Sequence, residues 1–69
     1  MARTHDDMIS TIENLIEVLK KHEEGYRAAA DSVEDTKLRV LFNKNANMSE
    51  RFAIILRSEI RRLIKLDAM

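Results

Sequence analysis

Two histidines, a scatter of carboxylates and four serines are the side chains here best suited to catalysis or metal binding. His5 and His22 stand alone in a chain of 69 residues that contains no cysteine. A zinc site draws on thiolates and imidazoles, so two histidines would have to recruit carboxylates to complete it. Ser10, Ser32, Ser49 and Ser58 have neither a glycine-rich elbow nor an evident base partner for acyl transfer. A phosphate-cradling loop and a dinucleotide fingerprint both need glycines, and Gly25 is the only one. The expectation is a protein that is not an enzyme and needs no cofactor.

Charge narrows the partners. Twelve basic residues balance twelve acidic ones, whereas nucleic-acid binders concentrate a basic excess on one face. Arg57, Arg61, Arg62 and Lys65 form the one basic run; a solvated face near a helix C-terminus is the expected reading, since cations suit that end of the dipole, and a phosphate or anionic-lipid contact is the alternative. No stretch approaches the ~20 apolar residues of a membrane span, and the N-terminus lacks the apolar core of a signal peptide. A soluble, cytoplasmic protein is expected, with no nucleic-acid partner.

The elements that would position any site are helices. Met8, Ile12, Leu15, Leu19, His22, Tyr26, Ala29 and Val33 recur at alternating steps of four and three, the seam of a coiled coil or helical bundle. Ile9, Ile16, Glu23 and Ala30 repeat every seven residues and widen that face. Asp6 and Asp7 suit a first turn following Thr4, which places helix one at about 5–31. The polar cluster Asp31 to Thr36 reads as the turn of a helical hairpin, about 32–35, with Asp35 as cap of a second helix at about 36–66. That helix carries Leu38, Leu41, Phe42, Met48, Phe52, Ile55, Leu56, Leu63 and Leu66 on its main stripe. Val40, Ile54, Ile60 and Ile64 fall off it and make a second side greasy. Gly25, followed by three alanines, is either the site of a close helix approach or merely tolerated.

A lone hairpin has no use for two apolar flanks. A homodimer that pairs two hairpins into a four-helix bundle does, and a dimer of dimers is open to the isoleucines left over. All-α is therefore the fold class: an antiparallel helical hairpin that dimerises. Its core is expected from Met8, Ile12, Leu15, Leu19 and Tyr26 on helix one. Helix two supplies Leu38, Leu41, Phe42, Met48, Phe52, Ile55, Leu56 and Leu63.

Three polar residues interrupt the stripes: His22, Asn45 and Glu59. A turn near residues 34 and 35 sets position n opposite roughly 69 minus n. His22 then falls within about a turn of Asn45, and a bond between them would give a buried polar layer that fixes register. Glu59 finds a cation in Arg62 or His5.

The segment Asn14-Leu-Ile-Glu-Val-Leu-Lys-Lys-His-Glu-Glu-Gly-Tyr-Arg-Ala-Ala-Ala30 resembles the first helix of a bacterial ferritin-like family, domain of unknown function 2383. Lys37-Leu38, Leu41-Phe42 and Glu50-Arg51-Phe52-Ala53 are similar to its second helix. The resemblance implies a ferritin-like four-helix bundle of unknown biochemical function. It also implies four helices per chain where two are legible here, a shortfall that a two-fold homodimer repairs. Ferritin-like di-iron sites use Glu-x-x-His pairs. Here Leu19 precedes His22 by three, Ala2 precedes His5, and Asn47-Met-Ser-Glu50 lacks the first carboxylate. A degenerate metal site across the dimer, from His22, Glu23 and Glu50, is the alternative to a non-catalytic structural or interaction module.

Overall fold

In the computed structural model, which describes residues 5–68, everything outside His5 and the corner 33–35 is α-helical. Helix α1 spans Asp6–Ser32 and helix α2 spans Thr36–Ala68, two residues beyond the end expected from the stripe. Thr4, expected just ahead of the first helix, lies outside the described residues. The helices fold back on each other as an antiparallel hairpin, and among the described residues there is no strand.

The corner works without glycine or proline because no residue in it needs a positive φ. Val33 is extended (φ −92°, ψ 143°) and its N–H donates to the Ala29 carbonyl at 3.2 Å, closing the last turn of α1. The Ser32 hydroxyl donates to the Ala28 carbonyl, and the Arg39 guanidinium to the Val33 carbonyl, both at 2.8 Å. Asp35 then opens α2 by accepting the Leu38 N–H at 3.0 Å, satisfying a donor that the first turn leaves orphaned. Asp35→Ala is expected to lower stability by about 0.5–2 kcal/mol in urea unfolding, with the helices otherwise intact.

The seam between the helices follows two unbroken heptads. On α1 it is the secondary repeat that goes in: Ile9, Ile16 and Ala30 are buried, with Ile12, Leu19, Glu23, Tyr26 and Val33 half-buried beside them. On α2 the seam runs Phe42, Ala46, Ser49, Ala53, Leu56, Ile60, Leu63 and Asp67. Small residues occupy its middle. Ala46 is 0% exposed and Ala53 is 3%, so the backbones approach closely where Cβ is the largest obstacle. Tyr26 stacks on Phe42 near the turn, ring centroids 6.4 Å apart.

At the open end one carboxylate ties the two helices together across 62 residues of sequence. Asp67 accepts the His5 backbone N–H at 3.3 Å, and its other oxygen meets His5 Nδ1 at 2.5 Å. The Asp67 side chain is 2% exposed. It therefore supplies from α2 the acceptor that the entry of α1 lacks in its own sequence, since His5 makes no side-chain cap.

The cross-helix contacts set the register: paired residue numbers sum to 68 at Tyr26–Phe42 beside the turn, 74 at Arg27–Asn47 and 72 at His5–Asp67, with 72 as the middle value. The hairpin is thus slipped about three residues from the expected sum of 69. His22 comes level with about residue 50, and Asn45 with about residue 27. The whole is a rod of 54 × 14 × 10 Å with a radius of gyration of 16.0 Å. A compact chain of this length has a radius near 11 Å.

Candidate functional site

Antiparallel helices that share a seam also share their flanks: residues one step after the seam on both helices lie on one face, and those one step before lie on the other. The two faces of this hairpin differ in kind.

The first is polar and holds the rod in register. Arg27 reaches across from α1 with Nε donating to Glu23 at 3.0 Å. Its Nη2 donates to Glu50 at 3.0 Å and Asn47 at 3.3 Å on α2. Arg27 donation is the main reason that the Glu23 carboxyl is held below its ordinary 4.5. The same contacts raise the guanidinium further above its ordinary value, Glu23 first. A carboxyl with a lowered folded pKa stabilises above its unfolded value and loses that stabilisation as pH falls through the folded one. The acid limb of stability below 4.5 is therefore expected to flatten in Glu23→Gln, read as unfolding midpoints against pH. Glu13, Glu17, Lys20 and Arg57 continue this face toward the open end.

The second face is mostly apolar, interrupted toward the open end by Thr11 and by the Glu59–Arg62 ion pair. From α1 come Met8, Leu15, Val18, His22, Gly25 and Ala29, and from α2 come Leu38, Leu41, Asn45, Met48, Phe52, Ile55 and Leu66. A shallow groove lined by His22, Gly25, Tyr26, Ala29 and Phe42 shows the two helices meeting on this side. Phe52 and Ile55 are each 57% exposed and Met8 is 53% exposed. Nine large apolar side chains stand half-exposed here. At on the order of 100 Å² apiece they amount to roughly 900 Å², against ~300–600 Å² for the largest apolar patch of a typical monomer. The total accessible surface, 5568 Å², exceeds the roughly 4,500 Å² expected of a compact monomer of 8.0 kDa.

The residues named from the sequence divide between seam and face. Ile12, Leu19, Tyr26, Phe42 and Leu56 flank the seam and Leu63 is buried in it. Met8, Leu15, Leu38, Leu41, Met48, Phe52 and Ile55 form the open apolar face. Val40, Ile54 and Ile64 are exposed on the polar side, and Ile60 joins the seam.

The polar interruptions do not form one layer within a single chain. His22 is exposed and Asn45 half-buried, about five residues apart in level, because of the three-residue slip. Glu59 is half-exposed and accepts the Arg62 Nε at 2.7 Å, while His5 turns to Asp67 instead. Gly25 has open space where a Cβ would stand, with nothing within 4 Å, so it serves no close approach inside the hairpin.

The weak metal set is split. Glu23 and Glu50 converge on the polar face, where Arg27 occupies the space between them, and His22 belongs to the apolar face. Among the described residues no group of three His, Asp or Glu gathers as a ligand set would. Among the same residues no helix is long and apolar enough to cross a membrane. Asp67 is the polar residue that the sequence reading missed. Its signal was its place four residues after Leu63, in phase with the small-residue seam.

Residues 7–67 match the model of the family described as Domain of unknown function (DUF2383), and the chain belongs to that family. No curated protein and no solved structure matches it.

Proposed function

We propose that this member of the DUF2383 family is a non-catalytic structural or protein-interaction module that works as a homodimer, two hairpins joining through their apolar faces into a ferritin-like four-helix bundle. The observation behind this reading is that nine large apolar side chains stand 42–57% exposed on one face of the hairpin, an area on the order of the ~800 Å² that each partner buries in an interface of standard size. A second copy is the occupant whose chemistry fits without further assumption, because it brings an equal apolar area on a rod of equal length.

Sedimentation equilibrium at micromolar concentration tests the proposal. A mass of about twice 8.0 kDa is expected, with a scattering profile that keeps the 54 Å length and thickens only the cross-section. A lone 8.0 kDa species with its helices intact would overturn it. The alternative of a metal site shared across the dimer has no comparable observation behind it. It would require iron, manganese or zinc to bind more tightly than millimolar in titration.

A further inference from the structure

The apolar face of α2 is nearly a palindrome about Phe52. Going outward in steps of seven, Asn45 and Glu59 flank it, and Leu38 and Leu66 lie beyond. All five stand one step before the seam, on the same side of the helix. Met48 and Ile55, four before and three after, fill the neighbouring column.

From this pattern we infer that the second copy lies antiparallel across the face, with the two-fold axis passing Phe52 and α2 packed on the partner's α2. The inference rests on the dimer proposed above and adds its orientation and register.

Under that axis each layer finds a matching one. Phe52 meets the partner's Phe52, and Leu38 meets the partner's Leu66. Met48 crosses the partner's Ile55. Asn45 comes opposite the partner's Glu59, so its amide N–H groups donate to a carboxylate that Arg62 already neutralises. A polar residue inside an apolar seam selects the one register that satisfies it.

The α1 strip of the face supports the same axis. It runs from large to small toward the turn: Met8 and Leu15 first, Gly25 and Ala29 last. Antiparallel stacking sets the large end of one copy over the small end of the other. The partner's Leu15 then lies over the region of Gly25, where nothing comes within 4 Å in the single chain.

Side-by-side hairpins, with the axis along the rod, give a worse match. Asn45, level with residue 27, would face the partner's Gly25 and Ala29, which offer its side chain no partner. Glu59, level with residue 13, would face Leu15 and Thr11, whose hydroxyl already donates to the Asp7 carbonyl.

The natural chain has no cysteine, so introduced ones report without background. A disulfide needs Cβ atoms about 3.5–4.5 Å apart, which is a strict test of register. On mild oxidation Phe52→Cys is expected to convert most of the chain to a covalent dimer, while Leu38→Cys and Leu66→Cys each stay unlinked. Mixing those last two is expected to give the cross-linked heterodimer, which reads the register without disturbing Phe52. Leu38→Cys linking to itself, in a protein that sediments as a dimer, would overturn the orientation and leave the dimer standing. A mixture of Leu38→Cys and Leu66→Cys that sediments as a dimer but never links would do the same. A monomer in sedimentation removes both proposals.

Discussion

Phe52→Glu is expected to leave a helical 8.0 kDa monomer where the natural chain sediments at about twice that mass. In the single hairpin this ring is 57% exposed, so the substitution takes almost nothing from the seam and circular dichroism should hold its helical signal. In the dimer the change is made twice, because a two-fold interface presents the same patch from both sides. Fully burying a phenylalanine contributes about 1.5–3 kcal/mol, and only the 57% still exposed is at stake in each copy, so losing the pair costs roughly 2–3 kcal/mol before the charges are counted. The two carboxylates would also face each other near the axis in a water-poor layer. Association is therefore expected to weaken by more than about 100-fold, enough to empty a micromolar dimer. A dimer that survives Phe52→Glu unchanged would place the interface elsewhere on the rod.

Leu63→Ala attacks the other interface, the one inside the hairpin. Leu63 is 4% exposed and comes level with Ile9, itself buried, just above the His5–Asp67 tie. Truncating a buried leucine removes its transfer energy and leaves a cavity, about 2–5 kcal/mol together. A small domain has little more than that in hand, its total being about 5–15 kcal/mol at best. The melting temperature is expected to fall by at least about 10 °C, followed by circular dichroism at a fixed chain concentration. Leu66→Ala is the control. Leu66 is three residues on but 46% exposed in the hairpin, so its truncation should act through association, with a smaller fall in melting temperature that depends on chain concentration. Equal losses from the two substitutions would mean that seam and outer face are not separate.

The two heptads explain why the sequence yields the elements more readily than their facing. Periodicity identifies a helix whichever side it buries, and Asp31 to Thr36 interrupts it with residues that cap and turn. Two helices, one corner and the Asp35 cap were therefore legible. Which stripe goes inward was not. Large apolar residues draw the eye to Leu38, Leu41, Met48, Phe52 and Ile55, yet the hairpin closes on Ala46, Ser49 and Ala53. A seam between two close helices has no room for large side chains along its whole length, so they stay on the flank. On α1 the same preference raised the Met8–Leu15 stripe above the Ile9–Ile16 repeat, which is the one that is buried.

Register was hidden for a related reason. The corner fixes where the chain turns but not how far each helix slides, and three residues of slip are settled by contacts remote in sequence. The Asp67 carboxylate reaching His5 and the Arg27 guanidinium reaching Asn47 and Glu50 set it. Neither pairing follows from local spacing, since each joins residues twenty or more positions apart. The slip also separates His22 from Asn45, which sequence spacing had brought together. What the chain by itself determined was the kind of element, the place of the corner and an excess of apolar residues, because these follow from composition and period alone. What only the tertiary structure decided was which repeat closes the hairpin, and so that most of the excess gathers on one face, with Val40, Ile54 and Ile64 left on the other. That choice depends on side-chain size across the gap between the helices, and no one helix carries that information.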